Sequence, residues 1–342
     1  MAERNAPYLY RGKSLSGGLG GLGGDDGRDR QGMRTLIIVF LVVSAIFLAG
    51  GYGLYRWANR HPVEMPGGEP AANPATSPST GTSALSAQEQ AARRADPATA
   101  KRCADAAALL HDGKPVEAVE AAHAILAALS EDNPLWSDAA RTLSEANTQL
   151  FASDIPVPGR KIIYAVKSGD ALIKIAKRHN TTVEAIQRAN RLDPANPTIR
   201  IGQSLAIYQG SWSIKVSKSR FRLYLYEAPD RLFKIYSVGI GRQGRTPTGQ
   251  FAIRNKLIEP DWDSPHGRIP YGAPGHELGT RWLGISPAGE TDRNLTGYGI
   301  HGTWAPDTIG KASSNGCIRM TNDEVNELYD IVPYNTPAII LD

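Results

Sequence analysis

A cysteine and a histidine sixteen residues apart are the groups in this 342-residue chain best suited to nucleophilic chemistry. Cys317 lies in Ser314-Asn315-Gly316-Cys317, polar company for a thiol that in a core behaves as a small hydrophobe. A thiol is mostly protonated at neutral pH, so a working nucleophile needs a base or a cation beside it. His301, in Tyr298-Gly299-Ile300-His301-Gly302-Thr303-Trp304, is the obvious base. Gly316 lets backbone come close, so the amides of Gly316 and Cys317 could face a developing oxyanion. Taken alone the pair is a weak signal, because a chain with seven histidines offers such pairs readily. The bland alternative is a loop residue that happens to be a cysteine. Zinc held by His266, His276 and His301 is a rival, but no ligand spacing supports it.

These groups need a scaffold, and from Trp212 the pattern is β. In Arg220 to Tyr226, Phe221, Leu223 and Leu225 alternate with residues facing the other way, as in a half-buried strand. Residues 212–216, 233–238, 249–253 and 338–341 read alike, and Gly- and Pro-rich loops part them, so the region is mainly β. Thr321 and Glu324 have capping-box spacing before a helix bearing Val325, Leu328 and Tyr329. Gly239 to Gly244 fits G-x-G-x-x-G but runs into Thr246-Pro247-Thr248-Gly249 and another strand. A dinucleotide site needs a helix there, so these glycines are turn formers.

Four motifs stand in order: Thr246-Pro247-Thr248-Gly249, Leu278-Gly279-Thr280-Arg281, Tyr298-Gly299-Ile300-His301-Gly302-Thr303 and Ser314-x-Gly316-Cys317-Ile318-Arg319-Met320. Together they resemble the L,D-transpeptidase catalytic domain of the YkuD type across residues 212–342. That resemblance implies an enzyme acting on peptidoglycan stem peptides, with no cofactor and no metal. Cys317 would form a thioester with release of D-alanine, and an amine of another stem would take the acyl group in a 3→3 crosslink. His301 would be the base, its ring oriented by the Gly302 carbonyl, with Gly316 as an oxyanion amide. Ser314, Asn315, Arg319, Tyr298 and Trp304 would line the substrate pocket, Arg319 either holding a substrate carboxylate or bracing the loop. Two departures stand out: Asn315 where the family most often has His, and His276-Glu277 where it commonly shows Asn-Pro. An L,D-carboxypeptidase, with water as acceptor, shares the same acyl-enzyme. A catalytically impaired wall-binding scaffold is the reading that Asn315 supports.

Residues 162–208 form a smaller unit. A short strand, Tyr164 to Val166, leads to Gly169-Asp170, expected to turn the chain and cap a helix that carries Leu172, Ile173 and Ala176. Thr181 and Glu184 have capping-box spacing for a second helix, Val183 to Asn190, and Gln203 to Ile207 closes with a strand. This βααβ pattern resembles a LysM module, which implies binding to glycan containing N-acetylglucosamine. The groove implied lies between Gly169, Asp170, Ala171 and Leu172 and the Asn196, Pro197, Thr198 and Ile199 loop. Ala171 stands where the family usually has Ser or Thr.

Upstream, Ala/Leu periodicity over 98–152 reads as a small α-helical hairpin of tetratricopeptide-like type whose protein partner is unknown. Its helices are broken by Gly113 and opened by Pro115 and Asn133-Pro134, with the second continuing to about Ser130. Cys103 reads as a packed small residue. Residues 56–97 read as a flexible linker, most of it Pro, Gly, Ala, Ser and Thr. Thr35 to Tyr55 carries no charge and spans about 30 Å as a helix, enough to cross a membrane once as an uncleaved anchor. Arg28, Arg30 and Arg34 on its N-terminal side place the Gly-rich tail, 1–34, in the cytoplasm and the rest outside. Net charge is +4, but no Lys/Arg run is interleaved with aromatics, so nucleic acid is not an expected partner.

Overall fold

A computed structural model describes Ala91, residues 96–264 and residues 267–342, all within one compact unit, Thr82–Asp342. The expected anchor, Thr35 to Tyr55, the tail before it and nearly all of the linker lie outside the described residues. Among the described residues no helix is long and apolar enough to cross a membrane.

Three helices open the unit: α1 (Pro97–His111), α2 (Pro115–Leu126) and α3 (Pro134–Phe151). Each starts with proline, whose missing N–H costs nothing in a first turn. Asp96 and Asn133 cap the first and third by accepting from the Thr99 and Leu135 amides. The second helix ends at Leu126 rather than near Ser130; residues beyond it form turns. α3 buries Leu143, Ala146, Leu150 and Phe151 on its inner face.

Next come β1 (Lys161–Ala165), α4 (Leu172–Arg178), α5 (Val183–Ala189) and β2 (Ser204–Tyr208), with β1 and β2 antiparallel. Two local expectations are corrected. Asp170 does not cap α4, whose N-cap Ala171 makes no side-chain bond. Its carboxylate turns back to accept from the Tyr164 hydroxyl at 2.6 Å and the Lys167 amide at 2.9 Å. For α5 the cap is Thr182, accepting from the Ala185 amide at 2.9 Å, rather than Thr181. Asn190 ties α5 to β2: its amide donates to Ala206 O at 2.8 Å and its oxygen accepts from Ala206 N at 2.7 Å.

The C-terminal region is built on one eight-stranded sheet. In chain order its strands are β3 (Ser213–Ser217), β4 (Arg222–Ala228), β5 (Arg231–Ser237), then, after the short β6 (Ile240–Gly241), β7 (Gly249–Ile258). The pair β8 (Trp262–Ser264) and β9 (Gly267–Ile269) stands apart. Then follow β10 (Arg281–Pro287), β11 (Gly299–His301), β12 (Ala312–Ser314), which pairs with β6, β13 (Ile318–Arg319), α6 (Asn322–Ile331) and β14 (Pro337–Leu341). The spatial order is β13-β11-β10-β7-β14-β3-β4-β5. Most neighbours are antiparallel; β11 with β13 and β14 with β3 are parallel. Thr321 caps α6 as its spacing predicts.

The three segments share a core. Phe151 of α3, Tyr208 of β2, Trp212 and Phe233 of β5 form an aromatic cluster with ring centroids 5.0–6.3 Å apart. Beside it, buried Glu227 accepts from Arg160 at 2.7 Å, from Arg231 at 2.8 Å and from the Tyr208 hydroxyl. Thr182 donates to the Asp330 carbonyl and Arg188 pairs with the Asp330 carboxylate at 2.6 Å, docking α5 on α6.

Candidate active site

His301 ends β11, held between β10 and β13. Register places Trp282 opposite His301 and Gly284 opposite Gly299. A Cβ at Gly299 would lie 2.6 Å from the Trp282 ring, and one at Gly284 2.8 Å from its nitrogen. The two glycines therefore form a bed for the indole, which stacks on the His301 imidazole with centroids 5.8 Å apart. His301 Nδ1 lies 2.6 Å from the Gly302 carbonyl oxygen. A carbonyl can only accept, so Nδ1 carries the proton and Nε2 keeps the lone pair. Burial drives the imidazole pKa down to about 4; the Gly302 and Leu278 carbonyls oppose that drop, and the Arg319 charge and His276 add to it. At neutral pH the ring is a free base.

Cys317 shares with His301 a cavity of about 310 Å³, which is also lined by Trp262, Glu277, Leu278, Tyr298, Asn315 and Arg319. Its thiol lies 3.8 Å from the Gly297 carbonyl. Burial raises the thiol pKa above its ordinary value, while the Gly299 amide and the Arg319 charge pull it down. The resting pair is thus a thiol and a neutral imidazole, suited to proton transfer during attack rather than a standing ion pair.

The turn that carries Cys317 is tightly braced. Ser314, though it lines the cavity, accepts from the Gly316 amide at 3.1 Å and donates to the Cys317 carbonyl at 2.6 Å. The Ser314 hydroxyl and the Gly316 amide are thus joined within the turn, and the Cys317 amide stands beside them. Gly316 has φ 137°, and a Cβ there would lie 2.8 Å from Tyr298. Thr246, of the first motif, donates to the Gly316 carbonyl at 2.8 Å.

Other expected residues fall on both sides of the cavity wall. Tyr298, Asn315 and Arg319 line it, but Arg319 pairs with Glu277 at 2.7 Å. Asn315 Oδ1 accepts from Arg242 and Arg245. Trp304 is half exposed and donates to His276 Nδ1 at 3.4 Å, while Trp262 is among the residues lining the cavity. His276 Nε2 meets the Pro260 carbonyl at 2.7 Å, and among the described residues no cluster of metal-ligating side chains forms.

In the smaller unit, Leu172 is buried in its core and the half-buried Ile199 packs against that core. The reason is the amphipathic docking of α4 on the β1–β2 pair. Gly169, Asp170, Ala171, Asn196, Pro197 and Thr198 stay at or near the surface. A shallow concavity there, about 440 Å³, is lined by Thr198, Arg200, Ile201 and Gln203, with Ile201 74% exposed. Trp282, Glu277, Arg242 and Arg245 are functional candidates that sequence reasoning missed. The Gly284–Gly299 bed exists only across strands, and Glu277 was visible only as a departure from a familiar motif.

Family models match this chain at two places: the YkuD L,D-transpeptidase catalytic domain over residues 211–340 and the LysM domain over residues 164–207. A protein of Bacillus licheniformis named L,D-transpeptidase YkuD is 37% identical over 189 residues, spanning 52% of this chain and 98% of that protein. Its namesake in Bacillus subtilis is 36% identical over 186 residues, again covering 98% of the relative. A solved structure titled L,D-transpeptidase from Mycobacterium smegmatis aligns with 42% of this chain and 65% of its own, at 17% identity and a TM-score of 0.32. The chain belongs to the L,D-transpeptidase family and couples its YkuD-like, mainly-β catalytic domain to a LysM module.

Proposed function

We propose that this protein is a membrane-anchored peptidoglycan L,D-transpeptidase that makes 3→3 crosslinks through a thioester on Cys317. The observation that carries the reading is His301 Nδ1 held 2.6 Å from the Gly302 carbonyl, in the same cavity as the Cys317 thiol. In this reading His301 Nε2 takes the thiol proton as Sγ attacks the carbonyl between the third residue and D-alanine. The Cys317 amide faces the oxyanion. The C–N bond then breaks, the imidazolium protonates the departing D-alanine amine, and a thioester remains. An amine of a second stem attacks it, gives its proton to His301, and leaves an amide with the thiol restored. The Gly302 carbonyl has the orienting place that a carboxylate holds in other triads.

The uncharged run Thr35 to Tyr55 supports a single-pass anchor in the cytoplasmic membrane, with catalysis outside it. The LysM module, by its exposed Ile201 and Thr198, would hold glycan near the site and raise the local concentration of stems. The test is to incubate the chain with disaccharide tetrapeptide and follow products by mass spectrometry. Dimers lacking one D-alanine are expected. Tripeptide alone would assign an L,D-carboxypeptidase, and no turnover together with no carbapenem adduct on Cys317 would leave only a wall-binding scaffold.

A further inference from the structure

Two guanidinium groups converge on one amide oxygen at the rim of the Cys317 cavity. Arg242 and Arg245 donate to Asn315 Oδ1 at 3.0 and 3.3 Å. Both come from one tight turn, closed by the Arg245 amide on the Arg242 carbonyl at 3.1 Å, with Gln243 and Gly244 between them at φ 53° and 69°. Such a turn brings its ends within about 7 Å, which is why both side chains reach one acceptor.

The turn is seated directly on the nucleophile loop. A Cβ at Gly241 would lie 2.8 Å from the Gly316 Cα, and one at Gly316 would lie 3.1 Å from the Arg245 carbonyl. Thr246, just after the turn, accepts from the Gly241 amide and donates to the Gly316 carbonyl. The position of the two arginines is therefore tied to the position of Cys317.

Their charge is uncompensated. Arg319 pairs with Glu277, whereas among the described residues no carboxylate pairs with Arg242 or Arg245. Two cations side by side on a neutral oxygen repel each other, and a carboxylate with two oxygens would match both forks. The identity of residue 315 fits this. An amide oxygen has two lone pairs and serves both donors, while a neutral imidazole has one acceptor atom and a protonated one has none.

Resting on the transpeptidase reading, we propose that Arg242 and Arg245, presented by Asn315, bind a free carboxylate of the donor stem peptide as it enters the Cys317 cavity. That carboxylate is either the C-terminal one or, where the third residue is a diamino diacid, the one on its side chain. The clamp takes over a role for which Arg319, paired with Glu277, is poorly placed.

The test uses the full-length chain and the donor disaccharide tetrapeptide in three forms: free acid, C-terminal amide and side-chain amide. Binding is measured by calorimetry on the C317A variant and turnover on the parent. In R242Q/R245Q, free-acid affinity should fall roughly 10–100-fold and KM rise to match, with kcat nearly unchanged. R242K/R245K, which keeps charge but loses the fork, should fall between. Amidating the recognised carboxylate should weaken binding to the parent and abolish the difference between parent and variant, and the amide that does so names the source. Equal binding of all forms by R242Q/R245Q and the parent would overturn the clamp, as would a loss that persists with both amides. Charge-dependent binding without any turnover would keep the clamp and sink the transpeptidase reading; turnover with charge-independent binding would do the reverse.

Discussion

This chain buries ionisable groups in two contrasting ways. At the seam between modules, Glu227 meets two guanidiniums and a phenol, so each charge has an opposite or a donor beside it. In the candidate cavity His301 is buried and Cys317 half-buried, and among the described residues no carboxylate pairs with either, Glu277 being held by Arg319. Matched burial keeps charges and glues modules together. Unmatched burial suppresses charge, so the imidazole pKa falls to about 4 and the thiol pKa rises above its ordinary value. The first arrangement holds the structure, and the second suits the proton transfer proposed for Cys317 and His301.

The sharpest break in this comparison is expected from Cys317→Ala. Turnover should drop by a factor on the order of 10³ or more, with stability within about 0.5 kcal/mol. Product analysis by mass spectrometry and thermal melting check the two halves, and retained activity would refute the assigned nucleophile. The reverse pattern is expected for Glu227→Ala, which takes the carboxylate from the buried Tyr208 hydroxyl and leaves Arg160 and Arg231 only the exposed Glu120. It should destabilise by about 3 kcal/mol in denaturant titration, while molecules that remain folded keep their turnover.

A pH series sharpens the contrast. His301 has a folded pKa of about 4 against 6.5 unfolded, so the neutral ring is the folded form. As pH falls from 6.5 to 4 the unfolded state gains a proton that the folded state does not, and stability falls by up to about 3 kcal/mol before levelling off. His123 is lowered to about 4 as well, chiefly by burial, so the His301 share is the difference between the parent and His301→Gln. Should the two proteins show the same slope, the burial argument for His301 fails. In the same series, carbapenem acylation of Cys317 should go on rising past pH 9, because burial holds the thiol above its ordinary 9.0. The smallest effect expected is from Gly316→Ala. The positive φ and the close approach to Tyr298 would cost about 1–3 kcal/mol, with a loss of turnover larger than the loss of stability explains.

Much of this was legible beforehand because it is local. Alternation in Leu223 and Leu225 marks β4, and Asn133-Pro134 and Thr321 mark helix starts through bonds that span two or three residues. What failed was equally local in appearance but decided by competition. Asp170 found a better donor in the Tyr164 hydroxyl than in a helix amide, and Thr182 rather than Thr181 took the α5 amide.

By itself the sequence determined the order of modules, the Cys317–His301 pairing of residue types and the glycines that only a close approach requires. Backbone periodicity and chemical type are properties of short stretches, and they survive whatever the chain does elsewhere. Only tertiary structure decided that Glu277 neutralises Arg319, that Trp282 lies on a bed of two glycines, and that Arg242 and Arg245 gather on Asn315 some seventy residues away. Those contacts join residues distant in sequence, and their partners are set by sheet register and loop packing, which no short stretch contains.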